Sequence, residues 1–183
     1  MSVTSLGPYV DRLREMILRV KYHHDLPVAH GLADLMCLEE AARLQSKQVD
    51  LIVPIPHHWS DRLLMRIDPP QLIASRLGGF LKVPVERHIL RKRQRTRKQQ
   101  SLSSVTDRRQ NLRDAFSIVR GTDLSGLRIA LVDDVLTTGT TCHRASNELK
   151  KAGAARIDVV VIARNTGVGS HPTSTSKIEV TRN

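Results

Sequence analysis

The chain has 183 residues, 40% of them apolar and only 3% aromatic, with a formal charge of +11 and a sequence pI near 10.5. That size suits one domain with a sizeable core, and no window is long and apolar enough to cross a bilayer. A basic surplus of this size implies anionic partners, phosphorylated metabolites or nucleic acid, and says nothing about fold.

The opening MSVTSLGPYV lacks the basic start and apolar centre of a signal peptide, so a cytoplasmic protein is expected. Two cysteines, Cys37 and Cys142, give no metal-site spacing and fit a reducing compartment. Residues 9–20 place Tyr9, Leu13, Met16, Ile17 and Val20 on one helical stripe, with Pro8 at a first-turn position where proline is tolerated. Lys21, Tyr22 and the pair His23 and His24 follow. A second helix is expected from about Pro27 to Ser46, with Leu32, Leu35, Met36 and Leu44 inward. Residues 1–48 are thus predicted to be a helical segment packed on a core domain that spans 49–164.

Val49 to Pro56 reads as a buried strand stopped by prolines. The loop after it holds Pro56, His57, His58 and Arg62. These are candidates to meet a phosphate group; the alternative is a solvated loop. A helix over 71–81 and a short segment over 83–90 come next. The stretch 91–98, RKRQRTRK, is basic at six of eight positions. Like charges packed together repel, so it reads as a solvated loop, a nucleic-acid patch, or a flap over a pyrophosphate. No aromatic interleaves with these charges, so the segment offers no stacking platform for single-stranded bases. Residues 103–113 are predicted helical, with Arg108, Arg109 and Arg113. Residues 115–120 are a strand candidate and 121–126 a turn.

The stretch from Leu127 to Gly153 carries the most chemistry. An apolar run, Ile129 to Val132, leads into Asp133 and Asp134; a Thr/Gly loop, Thr137, Thr138, Gly139, Thr140 and Thr141, opens a helix closed by Gly153. A short run of Ile, Leu and Val fits a strand buried on both faces of a parallel sheet, and such sheets bind ligands beyond their carboxyl ends. A helix N-terminus attracts phosphate through its free N–H groups and dipole. Glycine lets the backbone approach a ligand and threonine adds donors. Ionised carboxylates only accept, which suits sugar hydroxyls or a cation. The combination describes a sugar phosphate, diol on the acids and phosphate on the loop. The competing reading is a plain strand–loop–helix turn with the acids as caps. After it, residues 157–163 form a further buried strand, and 165–183 are expected to be a disordered tail. Strands alternating with helices throughout predict an α/β domain with a mostly parallel sheet.

The stretch LVDDVLTTGTT resembles the phosphoribosyl-pyrophosphate (PRPP) motif of type I phosphoribosyltransferases. The resemblance implies that Asp133 and Asp134 hold the ribose 2- and 3-hydroxyls and that Thr137 to Thr141 wrap the 5-phosphate. VPIP at 53–56, the stretch 89–116 with Thr96, Gln99 or Gln100, Leu102, Arg109, Asn111, Ala115 and Phe116, and Lys21 with Tyr22 are similar to the ComF family of phosphoribosyltransferase-like proteins, which is associated with bacterial competence and DNA uptake. Many relatives open with a cysteine-rich zinc module; this sequence begins past it, so no zinc is expected. Where many relatives carry Arg-Gly-Phe-Asn-Gln, this chain has Arg66, Ile67, Asp68, Pro69 and Pro70.

The resemblance implies a Mg2+-dependent transfer of phosphoribose from PRPP to a nitrogen acceptor, with Arg93, Arg95, Arg97, Lys98 and Arg109 as flexible-loop residues and a homodimer by analogy. Purine-salvage relatives carry an aspartate where this chain has Thr137, which cannot act as a base at neutral pH. The alternative is a binding module that keeps the PRPP site and meets single-stranded DNA or a competence-machinery protein. A basic α/β domain without a ligand is the third reading.

Overall fold

The computed structural model describes residues 2–56, 67–92 and 116–165. The described chain runs β1 Ser2–Pro8, α1 Asp11–His23, α2 Leu26–Ser46, β2 Leu51–Pro54, α3 Pro69–Leu81, β3 Leu90–Lys92, β4 Phe116–Ile118, β5 Arg128–Leu136, α4 Thr140–Lys151 and β6 Arg156–Arg164. Four strands make a parallel sheet in the order β1-β6-β5-β2. Beside β2, Ile52 bridges in parallel to Val85. The β3–β4 pair is a separate antiparallel ribbon.

Strand parity sorts the core into two layers, because successive side chains point to opposite faces. Ala130 and Val132 of β5 and Val160 and Ile162 of β6 pack with Ile17, Val20, Leu32, Met36 and Leu77 of α1, α2 and α3. Ile129 and Leu131 of β5 and Val159 and Val161 of β6 pack with Cys142, Ala145 and Leu149 of α4 and with Leu90 and Phe116 of the ribbon. Residues of 1–48 share one cluster with the sheet.

Four expectations need correction. Residues 2–8 form the edge strand β1, not part of a helical segment. Ser, Thr, Gly and a terminal Pro mask its period, and proline is tolerated where an edge strand ends. Pro8 thus closes β1, and α1 starts at Asp11. Met16 is half-exposed at 39%, and so is Leu35 at 42%; α2 instead buries Ala29, Leu32, Ala33, Met36, Cys37 and Leu44. The strand that carries the acids does not end at Val132 but runs on through Leu136, paired with β6 up to Arg164. The predicted helix over 103–113 and most of the basic stretch 91–98 lie outside the described residues, as does nearly all of 165–183; Arg91 and Lys92 are the exposed end of β3. No described helix is long and apolar enough to cross a membrane.

Candidate functional site

All four strands of the main sheet are parallel, so their carboxyl ends share one edge: Pro8 of β1 pairs with Arg164, and Arg164 pairs with Leu136 of β5. Asp133 and Asp134 lie just inside this edge, 8% and 6% exposed. Beside them, β2 ends and Ile55 N–H donates to the carbonyl of Val132 at 2.8 Å, which sets Pro56 at the same edge. His57, His58 and Arg62 lie outside the described residues, and so do Arg93, Arg95, Arg97, Lys98 and Arg109.

The two acids face different layers. Asp133 belongs to the α4 side, where the Cys142 thiol donates to its Oδ2 at 3.7 Å, and its Oδ1 accepts from the backbone N–H of Asp134 at 2.9 Å. Burial, followed by the charge of Asp134, pushes the Asp133 carboxyl up to about 7. Burial also pushes the Cys142 thiol up, to about 12, with the Asp133 charge adding to it. Asp134 faces the α1–α2–α3 side. Its Oδ1 accepts from the Val135 N–H at 2.7 Å, and its Oδ2 meets Lys21 Nζ at 2.7 Å. That Oδ2 is buried without a directed hydrogen bond, so the Lys21 contact is an ion pair. Asp134 also lines a cavity whose other walls are apolar, Ile17, Val20, Ala29, Leu32, Ile73 and Ile162 among them.

Lys21 reaches the acid because of how α1 ends. His24 adopts a left-handed conformation, φ 53°, and stops the helix. Asp25 then caps α2 by accepting from Val28 N–H at 3.1 Å and pairs with Arg19. The last turn of α1 is thereby tied to the first of α2. Sequence reasoning assigned no role to Lys21. The family resemblance includes Lys21 without giving it a task, and a local signal is its position four residues after Ile17, a cation on the apolar stripe of α1.

After β5, Thr137 and Thr138 are exposed and Gly139 turns the chain at φ 73°. A side chain rarely adopts this angle, which accounts for glycine here. Gly139 is the N-cap of α4 and brings no capping side chain; the Thr140 N–H donates to Thr138 Oγ1 at 3.4 Å, and the N–H groups that follow keep the helix-terminus capacity for an anion. Thr138 Oγ1 lies 3.0 Å from Thr140 Oγ1, and Thr140 and Thr141 are exposed. The structure thus brings the two acids and the 137–141 turn to one edge, within nine residues of chain. Among the described residues no cluster of three or more His, Cys, Asp or Glu is arranged to hold a metal.

The phosphoribosyl transferase domain family matches residues 71–180. Competence protein F of Haemophilus influenzae is 34% identical over 163 residues, 87% of this chain and 71% of that protein. DNA utilization protein YhgH of Escherichia coli O157:H7 is 28% identical over 166 residues, 88% of this chain and 71% of that protein. The solved glutamine PRPP amidotransferase from B. subtilis, complexed with ADP and GMP, aligns with a TM-score of 0.51 at 25% identity, covering 73% of this chain and 25% of that longer one. The architecture is that of type I phosphoribosyltransferases, a parallel sheet between helical layers.

Proposed function

Because the chain belongs to the phosphoribosyl transferase domain family, and within it to the relatives of competence protein F, we propose that it binds PRPP at the edge just described and transfers its phosphoribose to a nitrogen acceptor. One observation carries the reading: two buried carboxylates and a helix N-terminus whose N-cap is a glycine stand at one end of β5, joined by a glycine-turned loop of exposed threonines. Anion-binding and hydroxyl-binding chemistry are adjacent there, as a sugar phosphate requires.

In this reading Thr137, Thr138, Gly139, Thr140 and Thr141 hold the 5-phosphate. Asp133 and Asp134 accept from the ribose hydroxyls. The acceptor nitrogen attacks the anomeric carbon as the bond to pyrophosphate breaks, positive charge builds on the ring much as in glycoside cleavage, and the two acids beside the ring are complementary to that charge. Pyrophosphate leaves with the negative charge. Magnesium would come in with PRPP as part of the substrate, without a direct protein ligand, and would supply Lewis acidity to the leaving group. Thr137 offers no base, so the acceptor either brings a nitrogen already nucleophilic at neutral pH or draws a base from another residue.

Calorimetry with PRPP and Mg2+ tests the binding claim. Saturable binding lost in Asp134→Asn is expected; heat unchanged by that substitution refutes it. Pyrophosphate release with a panel of bases and amines then tests turnover. The second reading, PRPP binding without turnover in DNA uptake, is favoured by what the relatives are called and by the +11 charge. It expects no pyrophosphate release and a single-strand DNA affinity that falls steeply with salt, since phosphate contacts release counterions. A cytoplasmic setting fits the two free, buried cysteines. A homodimer is proposed by analogy with other transferases of this fold, with sedimentation as its check.

A further inference from the structure

The reading of the site as a ribose-phosphate site leaves Lys21 unassigned, although it already occupies the carboxylate that a ribose hydroxyl would need. Lys21 Nζ sits 2.7 Å from Asp134 Oδ2, and its side chain is 25% exposed against 9% for that of Asp134. Asp134 Oδ1 already accepts from the Val135 N–H and Oδ2 already pairs with the ammonium, so a ribose hydroxyl arriving at this buried carboxylate competes with Lys21 for it. Turning inward gives the displaced ammonium no second acceptor, because the cavity that Asp134 lines is otherwise walled by apolar residues, Ile17, Val20, Leu32, Ile73 and Ile162 among them, and an unpaired ammonium in such surroundings is costly. It must swing outward, toward the ligand.

Which end of the ligand it meets follows from strand parity. The helix N-terminus that takes the 5-phosphate belongs to α4, on the Asp133 side of β5, whereas Lys21 comes from α1, on the Asp134 side. A sugar lying across the end of β5 with its 5-phosphate on α4 turns its anomeric end toward α1. Resting on the site reading above, we propose that Lys21 is an exchange residue of the PRPP site: it neutralises Asp134 in the free protein and passes to the 1-pyrophosphate when the ribose hydroxyls take that carboxylate. A four-carbon stem with three freely rotating donors suits such a move. The exchange also gives the site a preference for a sugar phosphate with an anionic group at the anomeric carbon.

The test compares PRPP with ribose 5-phosphate, which lacks that group, both with magnesium, on wild type, Lys21→Met and Lys21→Arg. Removing Lys21 alters Asp134 for both sugars alike, so the ratio of the two affinities is the readout. Wild type is expected to prefer PRPP, and Lys21→Met to lose roughly 10- to 100-fold of that preference, the loss of one charge-assisted contact. Lys21→Arg keeps the charge and retains most of it. A second readout uses wild type alone: acylation of Lys21, read by mass spectrometry, falls with PRPP and rises with ribose 5-phosphate. An unchanged affinity ratio in Lys21→Met, or identical labelling of Lys21 under both sugars, overturns the exchange while leaving the site reading intact. Wild type that binds neither sugar overturns both.

Discussion

Asp133 should be a site where function costs stability, and Asp133→Asn measures the cost. The carboxyl is buried, beside a second carboxylate, and rises to about 7; an unfolded Asp titrates near 4. Each unit of pKa corresponds to about 1.4 kcal/mol, so keeping Asp133 ionised in the fold costs roughly 4 kcal/mol in the limit. The sign follows from proton counts. Between about pH 4 and pH 7 the folded state holds a proton that the unfolded chain has lost, so this group makes stability fall as pH rises through that window and constant above it. Asparagine removes the charge and can still accept from the Asp134 N–H, now at 2.9 Å. Its amide is left against the Cys142 sulfur, a weak acceptor, at about 1–3 kcal/mol. A net gain of about 1–3 kcal/mol at pH 8 remains, or about 3–10 °C in Tm for a chain of this size. At pH 5, where the wild-type carboxyl is already protonated in the fold, the gain should shrink toward zero. Thermal melts of both proteins at the two pH values, with the difference taken at each, cancel every other titrating group. PRPP affinity of the same variant should fall roughly 10- to 100-fold. A variant that melts below wild type by the same amount at both pH values refutes the reasoning.

Two further outcomes are expected. Gly139→Ala meets only Leu136 Cδ1, at 3.8 Å, yet sits at φ 73°; it should lower stability by about 1 kcal/mol and weaken PRPP binding, with a melt and a titration on one sample as the check. Burial opposes the ionisation of Asp158, but the Ser2 hydroxyl, Lys47 and Arg156 outweigh it and hold the carboxyl below its usual range. Its stabilisation is therefore present above about pH 4 and lost as pH falls below that, so Asp158→Asn should cost about 1–3 kcal/mol at pH 7 and progressively less in melts at lower pH.

What the sequence made legible followed from how strongly each stretch repeats one period. The Ile, Leu and Val run of β5 and the VVVIA run of β6 announced themselves by uninterrupted apolar pattern. The edge strand β1 did not. Its only apolar side chains before Pro8 are Val3 and Leu6, and what holds it is pairing with β6 and a polar cluster at its start, in which Lys47 Nζ donates to Ser2 Oγ at 2.7 Å and pairs with Asp158 at 3.3 Å. Contacts of that kind link residues more than forty positions apart and leave no local trace. Leu35 looked inward because it is leucine; the α2 stripe that is buried passes one position later, through Met36. At the site, the acids and the TTGTT turn were readable because they are contiguous. The Lys21 partner of Asp134 was not, since more than a hundred residues separate the two.

The same parity explains why the motif has two adjacent acids rather than one. Neighbouring residues of a strand cannot address the same layer. Asp133 is tuned by α4, through the Cys142 thiol and burial; Asp134 is tuned by α1, through a lysine. A ligand lying across the end of β5 touches both layers at once, with its phosphorylated end on α4 and its reactive end toward α1. The two carboxylates are therefore not interchangeable: removing Asp133 should relieve a buried charge, whereas removing Asp134 should strand a cation. Equal effects of Asp133→Asn and Asp134→Asn on Tm at pH 8 would show that the acids share one environment and that the assignment of faces is wrong.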